Sequence, residues 1–497
     1  MNYCIAVLDI GKTNKKIALF DDKLNVVYTK SRPFPTVEQD GLEIEPVEEI
    51  ESWFLDELST VSGEFPITCI TVATHGATFA CIGEDGNPSV PVVSYTNEPG
   101  PEFHHDFYKL AGDKATLQRT TATLELSALV NPAQGVFFVK RRFPEKFAKT
   151  RHILFYPQYF GFRLTGNVGA DLTYVGCHTY LYDFHKERWS DVAQKLGVAE
   201  LLPDKRRRPW EILGTITPEV ARRTGLDPTT IVTLGIHDSN ASLLPHLVQR
   251  TGDFILNSTG TWCVAMHPTD RVAFNEDEIG KSVFFNLGAT GQPVKTTILM
   301  GGLEFEAYTT ILKEIHGDRP FPEFSADVYR RVIADRRRFV IPGVVQGTGQ
   351  FPTSTAAVVD GEETFPLADI QSRKRVPAFF EDFEEAYAVV NLSLAVQSKV
   401  ALERVGIGPG MPVYTEGGFR KNRDYMTLLA GIFPESTQYV TNIEEATAFG
   451  AAIVGKLAVD GGELSDTRDL FSISDEPIEP ASLGDILSYA DALIAMT

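Results

Sequence analysis

The sequence predicts an α/β fold built as two similar domains, and three observations carry that reading. The chain has 497 residues, enough for two or more domains of ordinary size. Its opening reads strand, strand, strand, helix, strand, an order that builds a mixed sheet with helices laid on it. The second half opens similarly, and each half carries a turn of glycine and hydroxyl residues inside an early hairpin.

Tyr3–Leu8 is an apolar run closed by Asp9 and reads as a buried strand. Gly11-Lys12-Thr13-Asn14 reads as a turn, Ile17–Phe20 as a second strand, Asp21-Asp22 as another turn and Val26–Tyr28 as a third strand. Ile50, Trp53, Phe54, Leu58 and Val61 recur at spacings of three and four, which predicts a helix that Gly63 ends. Ile67–Ala73 follows as a strand. In the second half, Phe254–Asn257 and Trp262–Met266 read as strands around the turn Ser258-Thr259-Gly260-Thr261. A long helix is predicted over about Glu381–Val405, then a strand at Met411–Tyr414, a turn at Gly417-Gly418 and a helix over Asn422–Ile432. A helix near Glu444–Val459 contains Gly450-Ala451-Ala452, small enough for close packing on a sheet. Leu483, Ile486, Leu487, Ala490 and Ile494 mark a final amphipathic helix. The boundary falls near Pro245–Gly252 and divides the chain into residues 1–247 and 248–497.

Apolar residues make up 43% of the chain and charged residues 23%, values of a globular protein with an ample core. The formal charge is −20, so nucleic acid and anionic membrane surfaces are poor partners. The basic cluster Lys205-Arg206-Arg207-Arg208 reads as a solvated loop. Five cysteines without a Cys-x-x-Cys pair read as buried thiols in a reducing compartment. With no leader pattern and no long apolar run, a soluble cytoplasmic protein is expected.

Four segments could carry chemistry. Asp9 ends a strand and is followed by Gly11, Lys12, Thr13 and Asn14. Such a turn can cradle phosphate while the aspartate holds Mg²⁺ through water, and Lys12 and Lys15 add positive charge. An ordinary hairpin turn is the simpler reading. In Ser258-Thr259-Gly260-Thr261-Trp262, glycine allows close backbone approach and the Thr hydroxyls can donate to phosphate oxygens. Gly235-Ile236-His237-Asp238-Ser239 follows the apolar strand Ile231–Leu234 and precedes a helix expected to start at Ser239, which leaves Asp238 either a ligand-facing carboxylate or a helix cap. His237 reads as a core or hydrogen-bonding residue. Thr415–Asn422 feeds a strand through Gly417 and Gly418 into a helix and gives room for a flat ring or a phosphate. Together, two hydroxyl turns could grip a polyphosphate from both sides, and Asp9 and Asp238 could bracket Mg²⁺ and an attacking hydroxyl.

In this order the segments resemble the FGGY family of carbohydrate kinases, in the actin-like ATPase superfamily, from about residue 4 to 460. Val7–Asn14 is similar to that family's first phosphate loop. Tyr156–Tyr159, Phe162–Gly166, Asp171, Tyr182-Asp183 and Arg188-Trp189 resemble its middle segment. Gly235–Ala241 is similar to its catalytic-base turn, Asn257–Trp262 to its second phosphate loop, and Thr415–Asn422 with Phe449–Ala452 to its adenosine site. The resemblance implies two RNase H-like domains around a central cleft that closes on sugar and ATP. It implies Asp238 as general base and, with Asp9, as a residue near Mg²⁺. It also implies Thr13, Thr259 and Thr261 on the phosphates and Gly417, Gly418 and Asn422 at the adenosine. Gly11, Lys12, Asn14 and Gly260 belong to the same nucleotide set.

Ile70–Cys81 and Val92–Tyr95 look most like the fuculokinase and rhamnulokinase branches. His75, Gly76 and Tyr95 are the sugar-contact candidates, each weighed against a packed strand residue. Where that pattern carries an Asp, then an Asp and an Arg, this chain has Thr78, Asn97 and Pro99, which implies a changed hydroxyl pattern or a shifted alignment. The expected substrate is a ketose, L-fuculose or L-rhamnulose ahead of xylulose or ribulose. A sugar-binding actin-like ATPase without kinase activity is the alternative. A homodimer is compatible with either.

Overall fold

A computed structural model of the chain describes residues 2–203 and 206–497. Two seven-stranded sheets organise it. In the first, strand Cys4–Ile10 is buried on both faces, as its unbroken apolar run requires. It pairs antiparallel with Asn14–Asp21 and parallel with Ile67–Thr74. The order runs Ile212–Thr215, Ile231–Thr233, Ile67–Thr74, Cys4–Ile10, Asn14–Asp21, Val26–Pro33, with Ile236–His237 also paired to Ile67–Thr74. Helix Val47–Val61 starts three residues before the first predicted apolar position and buries Ile50, Trp53, Phe54, Leu58 and Val61.

The second sheet repeats the central arrangement. Ile255–Thr259 pairs antiparallel with Cys263–Pro268 and parallel with Val413–Gly417. Pro293–Leu299 and Phe284–Leu287 extend one side, and Gln438–Thr441 and Asp475–Pro477 the other. The long helix is Phe383–Val405, apolar nearly all round because neighbours cover it on most sides. The last helix is Ile486–Ile494.

The boundary in sequence is not a boundary in space. Helix Ala446–Asp460 lies beyond residue 248, yet its Ala451, Ile453 and Val454 share a core with Ile5, Val7, Ala73 and Ile236 of the first sheet. Gly450 and Gly455 permit this approach. A Cβ on Gly450 would stand 1.8 Å from the Ala241 carbonyl oxygen, and one on Gly455 would stand 2.4 Å from the Ile5 side chain. Tyr3 Oη donates to Asp460 at 2.6 Å and fastens the first strand to the end of this helix.

Of the basic cluster, Lys205 lies outside the described residues. Arg206 and Arg207 are not a loose solvated loop. They form a short strand beside Ala170–Asp171, with the Arg206 guanidinium over the rings of Tyr182 and Trp189 and Arg207 paired to Glu211 at 2.7 Å. All five cysteines are buried. No helix among the described residues is long and apolar enough to cross a membrane.

Candidate active site

Asp238 begins helix Asp238–Gln249 and sits where the first sheet meets the second half. The turn before it is set by a buried frame. Gly235 has φ +82°, and a Cβ there would meet the Val72 carbonyl oxygen at 2.6 Å, so only glycine lets the chain pass. Gln158 Nε2 donates to the Leu234 carbonyl at 2.7 Å and to Asp171 Oδ1 at 3.0 Å. Asp171 accepts from the Thr173 amide at 2.8 Å and from its hydroxyl, and that hydroxyl oxygen accepts from the His237 amide at 3.0 Å. Burial lifts the Asp171 carboxyl to about 7, and these donors work against that rise. The middle segment read from the sequence therefore serves to hold the Asp238 turn.

Asp238 is not a helix cap. Its Oδ1 accepts from the adjacent Ser239 amide at 2.6 Å and hydroxyl at 3.2 Å, and the residue at the N-cap position, His237, makes no side-chain cap. The carboxylate borders a cavity of about 240 Å³ instead, with His75, Gly76, Tyr95 and His237 from the first half and Trp262 and Asn286 from the second. Burial raises its pKa above the ordinary aspartate range, and the neighbouring His75 opposes the rise. A larger cleft of about 750 Å³ adjoins this cavity and shares Leu126, Val130, Trp262 and Ile298 with it.

Asp9 is half-buried at the end of the first strand. Burial lifts its carboxyl to about 7; Lys16 pulls it down and Asp238 pushes it up. Two carboxylates that perturb one another are oxygen donors of the kind a hard divalent cation takes. Gly11 closes a tight turn, and Thr13 and Asn14 are exposed on it. Lys12 leaves that turn for the cavity side. Its Nζ donates to Glu45 Oε1 and to Ser94 Oγ, each at 2.5 Å, and lies 4.8 Å from the centre of the Tyr95 ring. Lys15 is buried beneath, donating to the Lys12 carbonyl at 2.8 Å, and burial lowers it to about 8. Neither lysine extends from the exposed face of the turn.

The second turn is built differently. Thr259 is buried, and its hydroxyl donates to the Glu416 carbonyl at 2.5 Å while accepting from the Phe419 amide at 3.0 Å. Gly260 and Thr261 are exposed. Gly302, at the start of helix Gly301–His316, packs on the turn so closely that a Cβ would lie 2.3 Å from the Gly260 carbonyl oxygen. Gly260, Gly302, Gly418 and Asn422 border a cavity of about 340 Å³ whose wall is Phe305, Phe321 and Tyr387. Phe321 and Tyr387 stack with planes 10° apart, a flat apolar platform. Gly417 is the conformational pivot (φ +82°), and Asn422 caps helix Arg423–Ile432 through the Tyr425 amide at 3.1 Å.

His75, Gly76, Tyr95 and Asp238 thus meet at one cavity, and Gly260, Gly418 and Asn422 at another. Thr78, Asn97 and Pro99, the positions where the sequence departs from the sugar-pocket pattern, do not line the cavity beside Asp238. Thr78 is buried beneath Tyr174, whose hydroxyl takes its amide at 2.9 Å and donates to its carbonyl at 2.6 Å. Asn97 braces the backbone of Glu43 and Ser94. The sequence reading missed Trp262 as a cavity wall, and it missed Phe305 and Tyr387, because single aromatics in helical stripes look like core, and Phe321, an aromatic in the loop between helices Gly301–His316 and Ala326–Asp335.

Residues 4–245 match the model of the FGGY family of carbohydrate kinases, N-terminal domain, and residues 251–463 match that of carbohydrate kinase FGGY, C-terminal domain. The chain belongs to the FGGY family of carbohydrate kinases. Among curated relatives it is 24% identical over 270 residues to a rhamnulokinase of Halalkalibacterium halodurans, covering 53% of this chain and 55% of that one. It is 25% identical over 282 residues to an L-fuculokinase of Salmonella typhi, covering 54% and 57%. The matched region spans just over half the length of these relatives. A solved carbohydrate kinase from Novosphingobium aromaticivorans superposes with a TM-score of 0.80 at 26% identity, covering 99% of this chain and 97% of that one. A xylulose kinase from Lactobacillus acidophilus gives 0.81 at 16% identity, with the same two coverages. The two-domain FGGY kinase fold accounts for the repeated sheets.

Proposed function

We propose that this FGGY protein transfers the γ-phosphate of ATP to a hydroxyl of a neutral ketose, with Asp238 as the general base. The observation that carries the proposal is the seat of Asp238: a carboxylate released from capping duty, fixed by the Gln158–Asp171–Thr173 frame, and facing a cavity walled by both halves. The sugar hydroxyl gives its proton to Asp238 as its oxygen bonds to the γ-phosphorus, and the bond to the ADP oxygen breaks. Asp9 would hold Mg²⁺, which when bound neutralises charge on the phosphates. Thr13 and Thr261, exposed on the two turns, would donate to phosphate oxygens. The Phe305–Phe321–Tyr387 wall, with Gly418 and Asn422, would take the adenosine.

No Lys or Arg lines the acceptor cavity among the described residues, and Lys12 behind Tyr95 is already matched by Glu45. An uncharged polyol fits such a lining better than a sugar acid does. Likeness to the rhamnulokinase and L-fuculokinase supports L-rhamnulose or L-fuculose ahead of xylulose or ribulose as the acceptor.

A coupled ADP-release screen over ketoses, aldoses, polyols and aldonates tests the reading. One or a few neutral ketoses should stimulate release, and Asp238→Asn should lower kcat by about 10²–10⁴-fold while nucleotide binding survives. Near-normal turnover in that variant refutes the base. The base must be ionised, and its pKa is raised, so kcat/KM should fall on the acid side at a pH above the ordinary aspartate value of about 3.9.

A further inference from the structure

Three ligand-type side chains to which the proposed transfer gives no role converge on the acceptor cavity. Cys177, His178 and His237 each offer one atom, and these atoms lie within 4.8 Å of one another. Cys177 Sγ stands 3.3 Å from His237 Nε2. Both imidazoles turn Nε2 toward the same point. A Cβ on Gly76 would lie 2.9 Å from Nε2 of His237 and 3.1 Å from Nε2 of His178, so the glycine keeps a small gap open between them. Adjacent residues ordinarily point apart, but His178 takes φ +39°, a left-handed conformation uncommon outside glycine, which turns it in beside Cys177. Asp238 Oδ1, 3.2 Å from His237 Nε2, is at hand as a fourth donor. A tetrahedral ion at ordinary zinc–nitrogen and zinc–sulfur lengths holds its ligand atoms roughly 3.6 Å apart, within a few tenths of an ångström of the Cys177–His237 spacing.

We propose that Cys177, His178 and His237 form a binding site for a thiophilic divalent cation, zinc above all, and that an ion there excludes the acceptor sugar. Two neutral imidazoles and a thiolate make a borderline-soft donor set, which favours zinc or cobalt(II) and discriminates against Mg²⁺ with its demand for oxygen ligands. The sulfur–metal bond forms as the thiol proton leaves to solvent; each imidazole lends a lone pair and loses no proton, and nothing is oxidised. All three residues border the acceptor cavity, so the ion enters by the route the sugar takes. Metal binding stands independently of the kinase reading; exclusion of the sugar rests on it.

Cobalt(II) titration of the metal-free, full-length protein tests the site directly. The expected result is one cobalt per chain with a thiolate-to-cobalt charge-transfer absorption in the near ultraviolet, displaced by zinc and untouched by excess Mg²⁺. Cys177→Ser should abolish that absorption, and His178→Asn should weaken binding on the order of tenfold or more, with circular dichroism confirming that both variants fold. If Cys177→Ser does not fold, the weakened affinity and altered visible bands of His178→Asn decide. A wild-type protein without the absorption, or a folded Cys177→Ser variant that keeps it, overturns the site. With an accepted sugar in hand, zinc should raise its KM and leave kcat unchanged. Full metal occupancy with unaltered sugar kinetics overturns the exclusion while the site stands. Should no sugar be turned over at all, the cobalt spectrum still decides the site.

Discussion

In the first half, the turn between Cys4–Ile10 and Asn14–Asp21 is organised by charge: Asp9 feels the charges of Lys16 and Asp238, Lys12 reaches back to Glu45, and Lys16 crosses to Glu445 of the second half. In the second half, the turn between Ile255–Thr259 and Cys263–Pro268 carries no charge. It is organised by fit, with Thr259 bonded to backbone on both sides and Gly302 pressed against Gly260. The two turns hold the same topological position. One strand arrangement occurs twice, and the two occurrences anchor the turn by electrostatics in one case and by steric closeness in the other. Changes of charge should therefore hurt the first turn, and changes of volume the second.

The sharpest test of the contrast is Lys12→Met. The Glu45 side chain is fully buried and that of Lys12 is 28% exposed, so the substitution strands a buried carboxylate. A loss of about 3–5 kcal/mol is expected in denaturant unfolding. Adding Glu45→Gln should recover part of it; no recovery would mean that Lys12 acts through packing. The same pair leaves a pH signature. Burial alone would push the Glu45 carboxyl up, but His75 and Lys12 hold it below the ordinary range. A depressed carboxyl contributes stability that is complete above the unfolded value of about 4.3 and is lost as pH falls through the lower folded value. Wild-type stability should drop in that acid window, and the Lys12→Met variant should show a smaller drop.

Gly302→Ala probes the other turn. A Cβ there meets backbone, not a flexible side chain, and costs about 1–3 kcal/mol of overpacking strain. Nucleotide KM should rise with little change in sugar KM; an equal rise in both would break the assignment of that turn to the nucleotide. Thr261→Val should act least. Losing one donor to a phosphate oxygen costs about 1.5 kcal/mol, roughly tenfold in nucleotide affinity, with sugar binding unaltered when measured by calorimetry.

Both hairpins are legible in the sequence because an apolar run closed by Asp9, or by Ser258 and Thr259, has few outcomes other than a buried strand and a turn. Asp238 is legible as a strand-end carboxylate, and only its hydrogen bonds separate a cavity-facing carboxylate from a cap. The direction of Lys12 is not legible, because its partner Glu45 arrives from a separate hairpin. Phe305, Phe321 and Tyr387 form one platform from three distant segments, and no local spacing announces that. Gly450-Ala451-Ala452 signals close packing, but the sequence does not say that the partner is the first sheet.

That partner has a consequence for biosynthesis. A ribosome that has just released Gln249 has delivered every strand of the first sheet. The helix that covers Ile5, Val7 and Ala73 is still to be translated. The first half therefore cannot finish folding ahead of the second, the usual order for a tandem of domains. Its nascent sheet keeps part of an apolar face uncovered until residues 446–460 emerge, and residues 1–247 expressed alone should aggregate.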